Sequence, residues 1–200
     1  MAEQLEGSFL ILRKIKYGEA DLIIHALSSS GEKMSFLARG ALKSKKRFGG
    51  GVLEPTHHVK FFYSSNGQSE IHSIKEAILI HGFEHLRKNY DFLTFALTAL
   101  DVVGKVSLEG DQESAALYNL VGHLLKCLDQ LENLEILRTQ FYLKFLMQQG
   151  VLEIEDWMKP FLSKNLNESH ELLPFLDSAK EKSLFLERRV KAYVETASLT

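Results

Sequence analysis

The chain has 200 residues, 45% of them hydrophobic and 25% charged, with three prolines and one cysteine. That length and apolar content support one large domain or two small ones, and exclude a disordered tail, a collagen-like repeat and a disulfide scaffold. The formal net charge of −2 argues on its own against a nucleic-acid binder, and the single Cys127 excludes an internal disulfide or a cysteine-based zinc site within one chain.

The opening Met1-Ala-Glu-Gln-Leu-Glu6 lacks the basic and apolar regions of a signal peptide. No apolar run approaches the ~18 residues a membrane span needs, so a soluble, cytoplasmic protein is expected. From residue 7 to about 80 the pattern is one of short strands. Apolar runs at Ser8–Ile15 and Asp21–Leu27 are separated by Gly18 and followed by Ser28-Ser-Ser-Gly31. Met34, Phe36 and Ala38 alternate with Ser35, Leu37 and Arg39, the period of two that a half-buried strand requires. His57–Tyr63 and Glu70–Ile74 complete the set, and Asn66-Gly67 between them predicts a type I′ hairpin turn. Five strands in so short a stretch suit a closed or nearly closed barrel, because an open sheet would leave bare edges.

After Gly82 the period becomes helical. Phe83, Leu86, Tyr90, Leu93, Leu97 and Leu100 form one stripe, and Phe92, Phe95, Ala96 and Ala99 make the other face apolar, which predicts a helix buried on most sides. Asp111 is a candidate N-cap for a second helix striped by Leu117, Leu120, Val121, Leu124, Leu128 and Leu131. Asn133 caps a third, ending at Gly150. Residues 151 to 177, with Pro160 and Pro174, hold one or two short helices. Ser178-Ala-Lys-Glu181 has capping-box spacing before a last helix through Leu184, Val190 and Tyr193. The expected fold class is α+β with two domains, a β-barrel over 1–81 and an all-α helical domain over 82–200.

Charge follows the same boundary. Residues 1–81 carry 11 basic and 8 acidic side chains, a net of +3, while residues 82–200 carry 13 and 18, a net of −5. The extreme is Arg39-Gly-Ala-Leu-Lys-Ser-Lys-Lys-Arg-Phe-Gly-Gly-Gly51, with five cations in nine residues and no acid between Glu32 and Glu54. Such groups suit phosphate contacts, because neutralising a nucleic-acid backbone releases condensed counterions. Phe48, Phe61, Phe62 and Tyr63 lie close by in sequence and offer base stacking beside the phosphate contacts. A solvated loop beside barrel-filling aromatics is the bland alternative.

Tyr17-Gly-Glu-Ala-Asp-Leu-Ile-Ile24, Gly31, Ala38-Arg-Gly-Ala41, Ser44-Lys-Lys-Arg-Phe-Gly-Gly50 and Leu53-Glu-Pro55 together resemble the N-terminal barrel of the bacterial recombination mediator RecO family. Leu86-Arg-Lys-Asn-Tyr90 and Phe141–Gly150 resemble helices of its C-terminal part, and beyond Gly150 the resemblance fades. The resemblance implies an OB-fold barrel joined to a helical domain that docks partners. It also implies a non-enzymatic mediator of DNA repair and recombination that binds single- and double-stranded DNA and anneals complementary strands. Such a mediator helps load RecA onto strands coated by single-stranded-DNA-binding protein (SSB). The implied partners are RecR, the C-terminal tail of SSB, RecF and RecA. Arg39, Lys43, Lys45, Lys46 and Arg47, with Phe48, are then the DNA-binding candidates. Many members carry a four-cysteine zinc motif after the position of Gly150; here Val151–Pro174 contains no cysteine, so no metal is expected and this region is abbreviated. An adaptor of the RecR and SSB system that binds DNA weakly or not at all is the competing reading.

Other constellations carry less. His57 and His58 are adjacent on a strand and point to opposite faces, and His81 and His85 flank Gly82 without the glutamate of a His-Glu-x-x-His motif. Glu19 and Asp21 fit a turn, where aspartate bonds backbone amides. Gly49-Gly-Gly51 lacks the Lys-Ser/Thr of a P-loop, and Cys127 lies on an apolar stripe. Trp157, Phe161 and Leu162 are either a core anchor or the rim of a peptide pocket. No catalytic set and no cofactor is expected.

Overall fold

The computed structural model describes residues 3–44, 46–65, 70–107 and 115–197. Asn66-Gly67, Asp111 and Lys45 lie outside the described residues. The chain forms two compact units, Met1–Gly82 with Ser107–Tyr118, and Phe83–Val106 with Asn119–Thr200.

The first unit is built on five strands, β1 (Glu3–Tyr17), β2 (Asp21–Ser28), β3 (Lys33–Ala38), β4 (His58–Ser65) and β5 (Ile71–His81). They close into a barrel in the order β1-β2-β3-β5-β4, with β3 and β5 parallel and the other pairs antiparallel. This is an OB-like barrel. Its inside is aromatic: Phe9 meets Phe36 edge-on at 5.0 Å and stacks on Phe61 at 5.3 Å, and Phe36 meets Tyr63 at 5.2 Å. Alternation along β4 puts Val59, Phe61 and Tyr63 inward and leaves Lys60 and Phe62 half-buried on the other face. His57 and His58 go separate ways, as strand geometry requires: His57 Nδ1–H donates to Val52 O at 3.1 Å, and His58 Nε2 lies 3.2 Å from the Tyr118 hydroxyl.

β1 is bulged between Ile11 and Arg13, where Ile11 N–H donates to His57 O and Thr56 N–H to Ile11 O, both at 3.0 Å. Before the bulge, Phe9 and Ile11 share the inner face with Ala26; after it, Lys14 and Lys16 sit opposite the inward Ile24 and Leu22. The extra residue inverts the alternation and turns Tyr17 outward with Asp21.

The second unit is helical, with α1 (Tyr90–Val106), α2 (Ala115–Asp129, continuing from the first unit), α3 (Leu134–Gln148), α4 (Lys159–Ser163) and α5 (Leu176–Ala197). α1 starts later than the stripe from Phe83 predicts, because Asn89 Oδ1 caps the N–H groups of Asp91 and Phe92. Its buried face is Phe95, Ala96, Ala99, Leu100, Val102 and Val103, while Tyr90 is 82% and Leu97 40% exposed. α3 is enclosed on most sides: Asn133 accepts from Ile136 N–H at 3.2 Å, and Gly150 ends the turn at φ +69. α2 stops at Asp129, and Leu131, expected on its stripe, is an exposed residue with φ +57.

Two further expectations are corrected here. Ser178-Ala-Lys-Glu181 is no capping box: a 3₁₀ turn over Leu166–Phe175 runs directly into α5, so Ser178 falls inside the helix. The reciprocal pair is Asn165 and Glu168, with Asn165 N–H donating to the Glu168 carboxylate at 2.8 Å. The buried stripe of α5 is Ala179, Ser183, Leu186, Val190 and Val194, and Leu184 is 56% exposed. The cysteine-free stretch after Gly150 is held by α3 instead. The Gln140 side-chain amide donates to Phe161 O and Lys164 O at 3.4 and 3.3 Å, and the Lys144 ammonium to Leu162 O at 3.1 Å.

Candidate nucleic-acid interface

The described residues of the basic segment form a lip at one end of the barrel, where β1 finishes, β2 begins and β3 finishes. Gly40 adopts φ +67, which favours glycine, and its N–H donates to Asp21 Oδ1 at 2.7 Å. Leu42 N–H donates to Ala20 O at 2.9 Å. Asp21 thus does bond a backbone amide, but one 19 residues away in sequence.

The far side of the lip is fastened too. Arg47 N–H donates to Ser44 Oγ at 3.2 Å, Arg47 O accepts from Ala77 N–H of β5 at 3.4 Å, and the guanidinium donates to Arg39 O at 3.0 Å. The same guanidinium lies 5.3 Å from the Phe48 ring centre. Phe48 itself is only 6% exposed and packs in the barrel core with Ala41, Val52 and Leu53. Buried among these residues and under the Arg47 guanidinium, the ring anchors the lip rather than offering a stacking surface. Phe61 and Tyr63, also buried, are corrected with it.

Arg39, Lys43, Lys46 and Arg47 are all exposed. Among the described residues no carboxylate is ion-paired with any of the four. Elsewhere on the barrel the pattern differs: Lys14 is paired with Glu54, and Lys60 with Glu6 at 2.8 Å. A groove of about 320 Å³ runs beside the lip, lined by Lys14, Leu22, Ala41, Leu42, Ser44 and Glu54. Sequence reasoning missed the end of β1, where Lys16 and Tyr17 are exposed on the same end of the barrel. The available signal was the string Lys14-Ile-Lys-Tyr17, two cations and an aromatic at a strand end. Glu19, at the tip of the β1–β2 turn, is the acid nearest in sequence.

Cys127 and Trp157 lie in the helical unit. Cys127 is 3% exposed, and burial, reinforced by the Glu132 charge, pushes its thiol up to about 12. Trp157 meets Phe161 edge-on at 6.4 Å, and Phe161 is fully buried and packs on Phe175 at 6.2 Å. Among the described residues no group of three His, Cys, Asp or Glu side chains is placed to hold a metal ion, and no helix is long and apolar enough to cross a membrane.

Comparison with known proteins gives the family of the barrel. Residues 1–83 match the family model described as "Recombination protein O N terminal". The chain is 27% identical over 140 residues to a DNA repair protein RecO of Syntrophus aciditrophicus, covering 70% of this chain and 53% of that one. It is 32% identical over 121 residues to the RecO of Desulfosudis oleivorans, covering 60% and 46%. With the RecO of Maridesulfovibrio salexigens it shares 25% identity over 147 residues, 74% of this chain and 59% of that one. The chain spans about half the length of these curated relatives.

Proposed function

From a chain that carries, in residues 1–83, the N-terminal domain of the recombination protein O family, we propose a DNA-binding recombination mediator acting in DNA repair. The observation that carries this reading is the lip: four exposed cations, unpaired with any carboxylate among the described residues, on a segment fastened by hydrogen bonds at Gly40, Leu42 and Arg47. An anion lattice with one charge per few ångströms is the ligand that such a surface fits, and base identity plays no part in it.

The mechanism is electrostatic and stoichiometric. Cations that screen two backbones lower the mutual repulsion of complementary strands, so annealing accelerates with no bond made or broken. Single- and double-stranded DNA are both ligands of the lip. The helical unit engages RecR and the SSB tail, and RecA is loaded onto the strand so exposed, with RecF as a further partner. The protein acts in the cytoplasm and needs no cofactor.

The test is annealing of complementary oligonucleotides, naked and SSB-coated, at increasing protein. Acceleration that saturates at a fixed protein-to-strand ratio, with no nucleotide present, supports the mediator. Capture of SSB or RecR with no DNA binding at moderate salt supports the adaptor reading and overturns this one.

A further inference from the structure

The lip carries apolar surface as well as charge, and none of it comes from the aromatics nearest the basic run. Phe48, Phe61 and Tyr63 are in the core. Tyr17 is 56% exposed and Leu42 is 52% exposed. The β1 bulge turns Tyr17 out of the barrel, opposite Asp21, and the Asp21 carboxylate accepts from Gly40 N–H. Ala20, in the same turn, accepts from Leu42 N–H. Tyr17 and Leu42 therefore stand on two segments that are fastened to each other by two hydrogen bonds. Each has an exposed cation beside it in sequence, Lys16 next to Tyr17 and Lys43 next to Leu42. A fixed backbone with an open ring is what a stacking platform needs, since little freedom is lost when a base lands on it.

We propose that Tyr17 is a base-stacking platform that makes the lip favour single-stranded over double-stranded nucleic acid. This rests on the reading of the lip as a phosphate-binding surface. In a duplex the base faces are occupied by neighbouring pairs, so Tyr17 has nothing to stack on, whereas a single strand presents them. The cations serve both ligands and the ring serves one.

The experiment compares three fluorescent probes of equal phosphate number: an all-thymine strand, an abasic strand, and a duplex closed by hairpins at both ends. The full chain is expected to bind the thymine strand about tenfold more tightly than the abasic strand, and Tyr17→Ala to lose about that factor on thymine alone. Tyr17→Phe keeps the ring and is expected to keep the preference. Equal affinity of the unmodified protein for thymine and abasic strands overturns the platform, and that comparison needs no variant to fold. An equal loss on all three probes in Tyr17→Ala also overturns it. Failure to bind any of the three at low salt overturns the phosphate-binding reading instead.

Discussion

Replacing Lys43 and Lys46 together by glutamate tests the lip where it is least entangled with the fold, because both side chains are exposed and neither is hydrogen-bonded in the way Arg47 is. Each phosphate contact on a single strand contributes about 0.7 to the slope of log affinity against log salt, so the four described cations give a slope of roughly −3. Losing two brings it to about −1.4. At about 0.1 M salt that difference is roughly 25-fold in affinity, and at about 0.3 M it falls to roughly fivefold. Any contribution from Lys45 adds equally to both proteins and leaves the difference in slope intact. Fluorescence anisotropy across a salt series reads both slopes. Two parallel lines would refute the reasoning, since a loss independent of salt means that the lysines do not displace counterions.

Three further outcomes follow from the packing. Phe48→Ala removes a ring that is 6% exposed in the barrel core and is expected to cost about 3 kcal/mol in urea unfolding, with Phe48→Leu costing less than half as much. Leu131→Gly relieves a positive φ of 57 at an exposed position and is expected to stabilise by about 0.5–1 kcal/mol, read as a higher melting temperature. Cys127 favours the folded state as a neutral thiol, its folded value being raised from 9.0 to about 12. Its contribution is therefore complete below about pH 9 and lost as pH rises toward 12. Cys127→Ala is expected to flatten the alkaline fall in stability across that window, and a native thiol that reacts freely with an alkylating agent at pH 8 would refute the burial argument.

How much of this could be foreseen depends on the range of the interaction involved. The strands and the barrel followed from local alternation, and α3 from a cap at Asn133 and a glycine at 150, signals carried by neighbours in sequence. The parallel pairing of β3 with β5 that closes the sheet is a long-range contact with no local mark. β5 runs past the expected Glu70–Ile74 to His81, because its second half, Ile78-Leu79-Ile80, is an exposed apolar run with no alternation to mark it as strand. In the site, clustering revealed the cations but not which aromatic faces outward. Period two, carried through β1 from Phe9 and Ile11, places Tyr17 inside; the bulge at Ile11/Arg13 reverses it. Phe48 followed a run of cations and so seemed to belong with them, whereas its hydrophobicity belongs to the core that the lip closes over.

The lip is fastened at two separate places, near Gly40 and Leu42 on one side and at Arg47 and Phe48 on the other. Leu42 and Arg47 are thus fixed piers, with four residues of sequence between them. The closure entropy of such a span grows only logarithmically, with a doubling of its length costing about 0.6 kcal/mol. Residues can therefore be inserted into it, removed or exchanged while the barrel beneath keeps its register. On the reading proposed above, the number of cations offered to a phosphate backbone becomes a quantity that can drift or be engineered independently of the fold. A graded series of spans with two to six lysines would convert one barrel into a set of binders of chosen salt tolerance.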